Sequence, residues 1–200
     1  MNILAHAYLS NRNPDLLAGN FLGDFVKGDP AHPRHGLTPG EINGIWLHRA
    51  IDSFTDSHPN VAAVRDILHP RCHKYAGPAV DIFFDHFLAA NFTDLTGESL
   101  PEFVRFFYET LQQNDTHFPG SAQRMLSAMV QYDWVPHYAT IAGIDRSLKG
   151  VSRRTAFPSG LDTAIEDLEQ YYDEIGGHFR QYWPQLSAEA SRVRASFSTE

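Results

Sequence analysis

The stretch GIWLHRAIDSFTD, residues 44–56, is the part of the sequence around which the rest is organised. Its apolar residues recur at helical spacing, which predicts the centre of an amphipathic helix. His48, Asp52 and Asp56 follow one another at steps of four and so lie near one face of that helix. A charge among apolar side chains is costly unless it is paired or coordinated, and this polar stripe therefore indicates a metal site.

Two further segments carry polar residues of the same kinds. The stretch DIFFDHFL, residues 81–88, holds two aspartates four positions apart and an adjoining histidine among apolar side chains. A third carboxylate, Asp24, lies in the apolar stretch GNFLGDFVK, residues 19–27. We expect the three segments to converge on one metal site. Its predicted ligands are Asp24, His48, Asp52, Asp85 and His86.

Each predicted ligand also has a structural interpretation, because an aspartate or histidine in an apolar helix is often an internal hydrogen-bond partner or half of a buried ion pair. The joint occurrence of the three segments favours the metal. Asp56 and Asp81 are weaker candidates, since each can instead cap a helix. His6 fits a ligand and a hydrogen-bonded core histidine equally well. The other histidines are predicted to lie at the surface or in loops: His32, His35, His58, His69, His73, His117, His137 and His178.

The composition is that of a soluble globular protein. Two hundred residues, 42% of them apolar and 20% charged, suit a single domain, which we expect to span residues 1–200. The single cysteine, Cys72, excludes an intramolecular disulfide and fits a reducing cytoplasm. The sequence shows no signal peptide and no apolar run near the roughly 20 residues of a membrane span. With a net charge of −8, we expect a cytoplasmic protein without nucleic-acid or membrane partners.

Helix signals dominate the sequence and predict an all-α fold of about eight to ten helices without strands. Thr38, Pro39 and Glu41 form a capping-box signature for the central helix, which we expect to end near residue 56. Residues 28–40 hold three prolines and predict a loop, of a length that often forms a lid or binding loop. The other predicted helices begin near Met1 and then cover about 16–27, 57–68 limited by Pro70, 78–92, 100–111, 122–139, 161–183 with a bend at Gly176–Gly177, and a short segment after Pro184.

The candidate ligands combine imidazoles and carboxylates. Such a mixture suits Mn²⁺, Fe²⁺ or Zn²⁺, whereas a site of oxygen ligands alone indicates Mg²⁺ or Ca²⁺. A divalent ion held by this set favours hydrolysis of a phosphate ester. Lys27 and Arg49 lie in the same stretches as the candidate ligands Asp24 and His48, and they can neutralise the charge of a phosphate.

Four ordered motifs carry a family resemblance over nearly the whole chain. They are MNILAH at 1–6, GNFLGDFVKG at 19–28, GIWLHRAIDSFTDSHP at 44–59 and DIFFDHFLA at 81–89, with SRR at 152–154 also fitting. They resemble the acyl carrier protein phosphodiesterase family. This family is distantly similar to the all-helical HD-domain phosphohydrolases, which implies an HD-like helical bundle. The usual His-Asp dipeptide is absent here, because His48 is followed by Arg49 and residues 85–86 run Asp-His.

The resemblance implies a hydrolase that cleaves the phosphodiester between 4′-phosphopantetheine and a serine of acyl carrier protein, leaving the apo carrier protein. It implies a divalent metal, first of all Mn²⁺, with Fe²⁺, Zn²⁺ or Mg²⁺ as alternatives. The residues expected to take part in catalysis are Asp24, Lys27, His48, Arg49, Asp52 and Asp85. Two other functions also fit: an HD-type phosphohydrolase acting on a nucleotide or small phosphoester, and a helical module that binds a carrier protein without turnover.

A basic segment, RSLKGVSRR at residues 146–154, carries four positive charges and no acid. Because acyl carrier proteins are strongly acidic, we expect this segment to contact the carrier protein. A solvated basic loop is the alternative. The predicted contact residues are Arg146, Lys149, Arg153 and Arg154.

Overall fold

Helices make up the regular structure of residues 3–197, the part of the chain that the computed structural model describes. Twelve α-helices and no strand occur there, which confirms the predicted all-α class; two helices of four and five residues raise the count above that predicted. They are α1 Ile3–Leu9, α2 Pro14–Leu22, α3 Pro39–Ser57, α4 Pro59–Cys72, α5 Ala76–Ala90, α6 Phe92–Thr96, α7 Leu100–Asn114, α8 Gly120–Gln131, α9 Trp134–His137, α10 Ile141–Ser152, α11 Ile165–Gln170 and α12 Tyr172–Ser196. Met1 and Asn2, where the first predicted helix begins, lie outside the described residues. Within residues 3–197, no helix has the length and apolar character needed to cross a membrane.

Helix α5 is the central element of the hydrophobic core. Nearly every residue from Ala79 to Ala89 is buried, as expected for a helix surrounded by others. Helices α1, α4, α10 and α12 pack against it. The buried apolar side chains form one cluster, in which Phe84 of α5 meets Phe179 of α12 with ring centres 5.5 Å apart. The limits of the domain at residues 1 and 200 remain predictions.

Helices α2 and α3 cross where neither backbone carries a side chain. A Cβ atom added at Gly19 would lie 2.0 Å from the carbonyl oxygen of Glu41, and one at Gly44 would lie 2.7 Å from the Cα of Gly19. The two glycines therefore permit a backbone approach that any larger residue would prevent. The predicted capping box begins α3: Thr38 Oγ1 accepts from the Glu41 N–H at 3.2 Å, and Glu41 Oε2 accepts from the Thr38 N–H at 2.8 Å.

Several helix limits differ from the predicted ones. Pro70 lies inside α4 rather than beyond its end. Leu68 and Cys72 on either side of it are buried, and their packing offsets the one hydrogen bond that the proline removes. Gly176–Gly177 and Pro184 lie within the continuous α12, and the chain breaks instead at Tyr171. Buried aromatic and aliphatic side chains on both sides of Pro184 explain this continuity, since tertiary packing overrides local propensity.

His58 lies in the connection between α3 and α4, as the prediction of a surface or loop residue allows, but it is buried there. Its Nδ1 accepts from the N–H of Asn60 at 3.2 Å and thereby caps α4. The other side of the ring packs edge-on against Tyr182, with ring centres 5.1 Å apart. A helix start needs an acceptor for its first N–H groups, and this need explains a histidine that is both buried and hydrogen-bonded.

Candidate metal centre

Helices α1 and α3 bring together two histidines and an aspartate. His6 Nε2 lies 3.2 Å from Asp52 Oδ1, and His48 Nε2 lies 3.0 Å from Asp52 Oδ2. One ligand atom from each residue lies within 4.8 Å of the other two, and the imidazole rings stack with their centres 4.3 Å apart. We call these three residues the histidine cluster. Its nitrogen and oxygen donors are consistent with a divalent metal.

Asp24, two residues after α2, places a second carboxylate beside the histidine cluster. Its Oδ1 lies 3.7 Å from His48 Nε2. The neighbouring Gly23 is required for this arrangement, because a Cβ atom there would lie 2.1 Å from Cγ of the His48 ring. Both imidazoles are buried, whereas the side chains of Asp24 and Asp52 are 41% and 50% exposed. The site thus has a buried histidine side and a carboxylate side open to solvent.

Asn20 fixes the orientation of the His6 ring. Its amide nitrogen donates to the His6 carbonyl oxygen at 2.9 Å and to Ser10 Oγ at 3.1 Å, so its amide oxygen accepts from His6 Nδ1 at 2.6 Å. Burial lowers the pKa of His6, which favours the neutral ring. In that form the lone pair of Nε2 faces the Asp52 carboxylate, and two acceptors are held together only by a proton or a metal cation between them. The donor set therefore fits a divalent metal ion.

The two carboxylates of the site are held in their ionised form. Burial acts to lower the pKa of His48, but its interactions with Asp24 and Asp52 outweigh burial and raise the pKa to about 9. Burial acts to raise the pKa of Asp52, but the interactions with His48 and His6 outweigh burial and hold it well below the usual range. The interaction with His48 also lowers the pKa of Asp24. The two carboxylates outnumber the protonated His48, so the site keeps a net negative charge that attracts a cation, and a metal ion that binds His48 displaces its proton.

Asp85 and His86 of α5 are not brought to the histidine cluster. The two carboxylate oxygens of Asp85 accept from two backbone N–H groups in the first turn of α1, at 2.9 and 3.0 Å. His86 Nδ1 donates to the Tyr138 carbonyl oxygen at 2.8 Å, and its Nε2 lies 3.0 Å from the Tyr172 hydroxyl. The first N–H groups of a helix have no hydrogen-bond partner within that helix, and Asp85 supplies the acceptors for two of them at the start of α1. Every polar atom of these two side chains thus has a partner in the protein.

The two cations predicted to neutralise phosphate border the 28–40 segment. Arg49 donates to two backbone carbonyl oxygens near the start of this segment, at 3.2 and 2.7 Å. Its guanidinium also stacks on the exposed ring of Trp46, 4.9 Å from the ring centre. Lys27 is exposed at the same turn of the chain. Both residues therefore lie next to the segment that follows Asp24 in the sequence, and the role of this segment as a lid remains a prediction.

The four predicted carrier-contact residues lie at the C-terminal end of α10, a helix with no counterpart among the predicted ones. Arg146 and Lys149 belong to the helix, and Arg153 and Arg154 follow its last residue. All four side chains are exposed, and Lys149 also pairs with Asp145 at 2.6 Å. A helix rather than a loop therefore presents the first two of these charges.

The structure brings two residues to the site that the sequence pattern did not assign. The contacts of His6 favour a ligand over the alternative of a core histidine. Asn20 was not a candidate, although it lies in the same GNFLGD stretch as Asp24. Helical spacing could assign neither, because their partners lie on other helices. Asp56 pairs with Arg65 at 2.5 Å and does not belong to the histidine cluster.

Comparison with known proteins gives the family of the chain. The family model described as acyl carrier protein phosphodiesterase matches residues 1–186. Proteins of that name from Photorhabdus laumondii and Klebsiella pneumoniae are 31% and 33% identical over 191 and 192 residues, covering 95% and 93% of this chain and 95% of each relative. One from Escherichia coli is 31% identical over 196 residues, 96% of this chain and 98% of the relative. No solved structure matches the chain. The chain therefore belongs to the acyl carrier protein phosphodiesterase family, whose name denotes a hydrolase.

Proposed function

We propose that this protein hydrolyses the phosphodiester bond between 4′-phosphopantetheine and a serine of acyl carrier protein, with a divalent metal ion held by the histidine cluster and Asp24. The observation that carries the proposal is the histidine cluster, with buried imidazoles and a solvent-exposed carboxylate, in a chain of this family. Asp85 and His86 are left out of the ligand set because their polar atoms are bonded elsewhere.

Each residue of the site has a role in the proposed reaction. The chemistry that a bound divalent ion supplies is activation of water and polarisation of a phosphoryl oxygen. Hydrolysis replaces the bond between phosphorus and the serine oxygen by a bond to the oxygen of water, and the serine leaves with a proton. Asn20 holds His6 with Nε2 towards Asp52, while Asp24 and Asp52 remain anionic. Lys27 and Arg49 supply positive charge for the phosphate.

The donor set limits the choice of metal. Two imidazole nitrogens with two carboxylates favour Mn²⁺, Fe²⁺ or Zn²⁺, since Mg²⁺ and Ca²⁺ prefer sites of oxygen ligands. Mn²⁺ is our first choice, on the family resemblance, and Mg²⁺ ranks after the other two ions.

The carrier protein is proposed to dock on the exposed basic residues of α10 and of the turn that follows it. These charges stand out in a chain with a net charge of −8 and complement an acidic partner. Reversing the charge of Arg153 and Arg154 together should raise the apparent KM for the carrier protein, and an unchanged KM would remove these residues from the interface. The cytoplasmic location and the absence of nucleic-acid and membrane partners remain predictions from the sequence.

The deciding experiment is mass spectrometry of holo-acyl carrier protein incubated with the full-length protein and Mn²⁺, with and without a chelator. We expect loss of the 4′-phosphopantetheine mass only when the metal is available. The same incubation with free nucleotides tests the nucleotide phosphohydrolase. If neither substrate is cleaved with Mn²⁺, Fe²⁺, Zn²⁺ or Mg²⁺ while the carrier protein still binds, the non-catalytic binding module replaces our proposal.

A further inference from the structure

A cavity of about 530 Å³ lies between α10 and the chain around α9, and the function proposed above uses only the basic residues at its edge. Its volume is in the range of pockets that bind small molecules. Ile3 and Met125 line this cavity and also line the small cavity that contains His6, Asp24 and His48. The two cavities are therefore neighbours, and these two side chains lie between the histidine cluster and the larger space.

The inner wall of the cavity suits an uncharged chain. It includes the buried side chains of Ile82 and Tyr138 and the half-buried Trp134 and Val151. Ser147 and His137 add polar groups to the lining. No aspartate or glutamate of the described chain lines the cavity. Such a wall favours the burial of methylene and methyl groups of a ligand. Its few polar groups can form hydrogen bonds with a small number of ligand amides.

The outer edge of the cavity is basic. Arg146, Lys149, Arg153 and Arg154 line it and are exposed, and the Arg154 guanidinium lies 5.8 Å from the ring centre of Trp134. Long basic side chains can cover an apolar wall with their methylene groups while their charges stay in water. An uncharged chain inside the cavity offers nothing to these charges. These basic residues therefore suit an acidic protein to which such a chain is attached.

We infer that this cavity binds the pantetheine part of the prosthetic group, a neutral chain with two amides that ends in a thiol or thioester, while its basic edge faces the carrier protein. The inference rests on the proposed function, because that function places the phosphate at the histidine cluster. It adds a second recognition element, because the protein then binds the pantetheine arm as well as the phosphate and the acidic surface of the carrier protein.

Two positions on α10 allow the cavity to be filled without disturbing the histidine cluster. Gly150 lines the cavity, and a Cβ atom there would meet nothing closer than Arg153 Nη2 at 4.0 Å, so Gly150→Phe adds a ring without a backbone clash. Ser147 also lines it, and its hydroxyl donates only to the Gly143 carbonyl oxygen of the same helix. Ser147→Phe is therefore a second, independent variant. Ala142 on the same helix is exposed and does not line the cavity, which makes Ala142→Phe the matched control.

The test is calorimetric binding of two phosphate monoesters to the full-length, Mn²⁺-loaded protein and its variants. For the wild-type protein, 4′-phosphopantetheine should bind more tightly than methyl phosphate by about tenfold or more, because only the former carries the arm. The ratio of the two dissociation constants, methyl phosphate over 4′-phosphopantetheine, should fall towards one in Gly150→Phe and Ser147→Phe. It should stay unchanged in Ala142→Phe. Because each ratio compares two ligands on the same protein, a loss of affinity that is common to both ligands does not change it.

The outcomes separate this inference from the function on which it rests. Equal binding of both phosphates by the wild-type protein would overturn the assignment of the cavity, and so would a ratio that both cavity variants retain. Tighter binding of adenosine monophosphate than of 4′-phosphopantetheine would overturn it in favour of a nucleotide. Failure of the wild-type protein to cleave holo-acyl carrier protein would instead overturn the proposed function.

Discussion

Helices α3 and α5 carry the same kinds of polar residue on apolar faces, yet the two sets have different surroundings. In α3, His48 faces the carboxylates of Asp52 and Asp24, and the Asp52 side chain is 50% exposed. In α5, Asp85 is 1% exposed, and both of its oxygens accept backbone N–H groups. His86 beside it faces a carbonyl oxygen and a hydroxyl group.

The difference shows that the partner of a buried polar residue decides its role. Asp85 has donors for both oxygens, so no cation is needed there. Asp52 faces a histidine whose other nitrogen already donates to Asn20, so a cation satisfies two acceptors at once. The α3 set therefore has the features of a binding site. In the α5 set, Asp85 holds the first helix to the core, and His86 joins α5 to Tyr138 and Tyr172.

The largest effect is expected from removing the carboxylate that both histidines of the site contact. Asp52→Ala should lower metal-dependent cleavage of holo-acyl carrier protein by more than about 100-fold, because ligand loss exceeds the effect of losing an outer partner. Stability should fall as well, because Asp52 contacts both buried histidines and joins α1 to α3, so thermal unfolding is measured beside activity. Asp56→Ala, one turn further along α3, is the control and should keep wild-type activity. Activity in Asp52→Ala equal to that of the control would remove the histidine cluster from the reaction.

The next effect concerns the residue that orients His6. Asn20→Ala should raise the metal concentration needed for half-maximal activity by about 10- to 100-fold, because loss of the outer partner of a metal-binding histidine has this effect. Titration of activity with Mn²⁺, together with thermal unfolding, measures it. A lower unfolding temperature with an unchanged metal requirement would show that Asn20 only stabilises the fold.

Asp85→Asn should behave in the opposite way and affect stability alone. The amide nitrogen cannot accept the N–H group that one carboxylate oxygen accepts, so a buried donor loses its partner at a cost of about 1–3 kcal/mol in the free energy of unfolding. Activity of the folded protein and its metal requirement should remain at the wild-type level. Denaturant unfolding and a metal titration check both statements, and a lost metal response at normal stability would return Asp85 to the ligand set.

The last prediction concerns the pH dependence of stability. Burial raises the pKa of Asp85 from the ordinary 3.8 to about 7, although two N–H groups donate to it. Between these values the native state keeps a proton that the unfolded chain has released, so stability falls as pH rises from about 4 to about 7. The stability difference between the wild type and Asp85→Asn should therefore shrink over this interval. A difference that grew with pH would mean that Asp85 is ionised in the core.

Much of the fold was predictable because it depends on local spacing. The capping box and the polar stripe of α3 need only residues within one helix, and both occur as predicted. The continuity of α12 through Pro184 was not predictable, because it depends on the core packed against that helix. The HD-like architecture remains a prediction, since no solved structure matches the chain.

The site was only partly predictable, for the same physical reason. Aspartates four positions apart look alike in α3 and α5, but Asp85 meets a backbone N–H from Leu4, 81 positions away. Asn20 and His6 are 14 positions apart and lie on different helices. Spacing along the chain shows which residues share a face, and it does not show what that face meets.

The attachment of α1 has a thermodynamic consequence. This helix has seven residues, too few to be stable alone; Asp85 ties its start to α5, and His6 ties its side to α3. An ion that binds His6 and Asp52 together binds only the folded arrangement, and by linkage it adds its binding free energy to that of folding. The unfolding temperature should therefore rise with ion concentration, most steeply for the ion that binds best. A thermal-shift titration thus ranks Mn²⁺, Fe²⁺, Zn²⁺ and Mg²⁺ without any carrier protein.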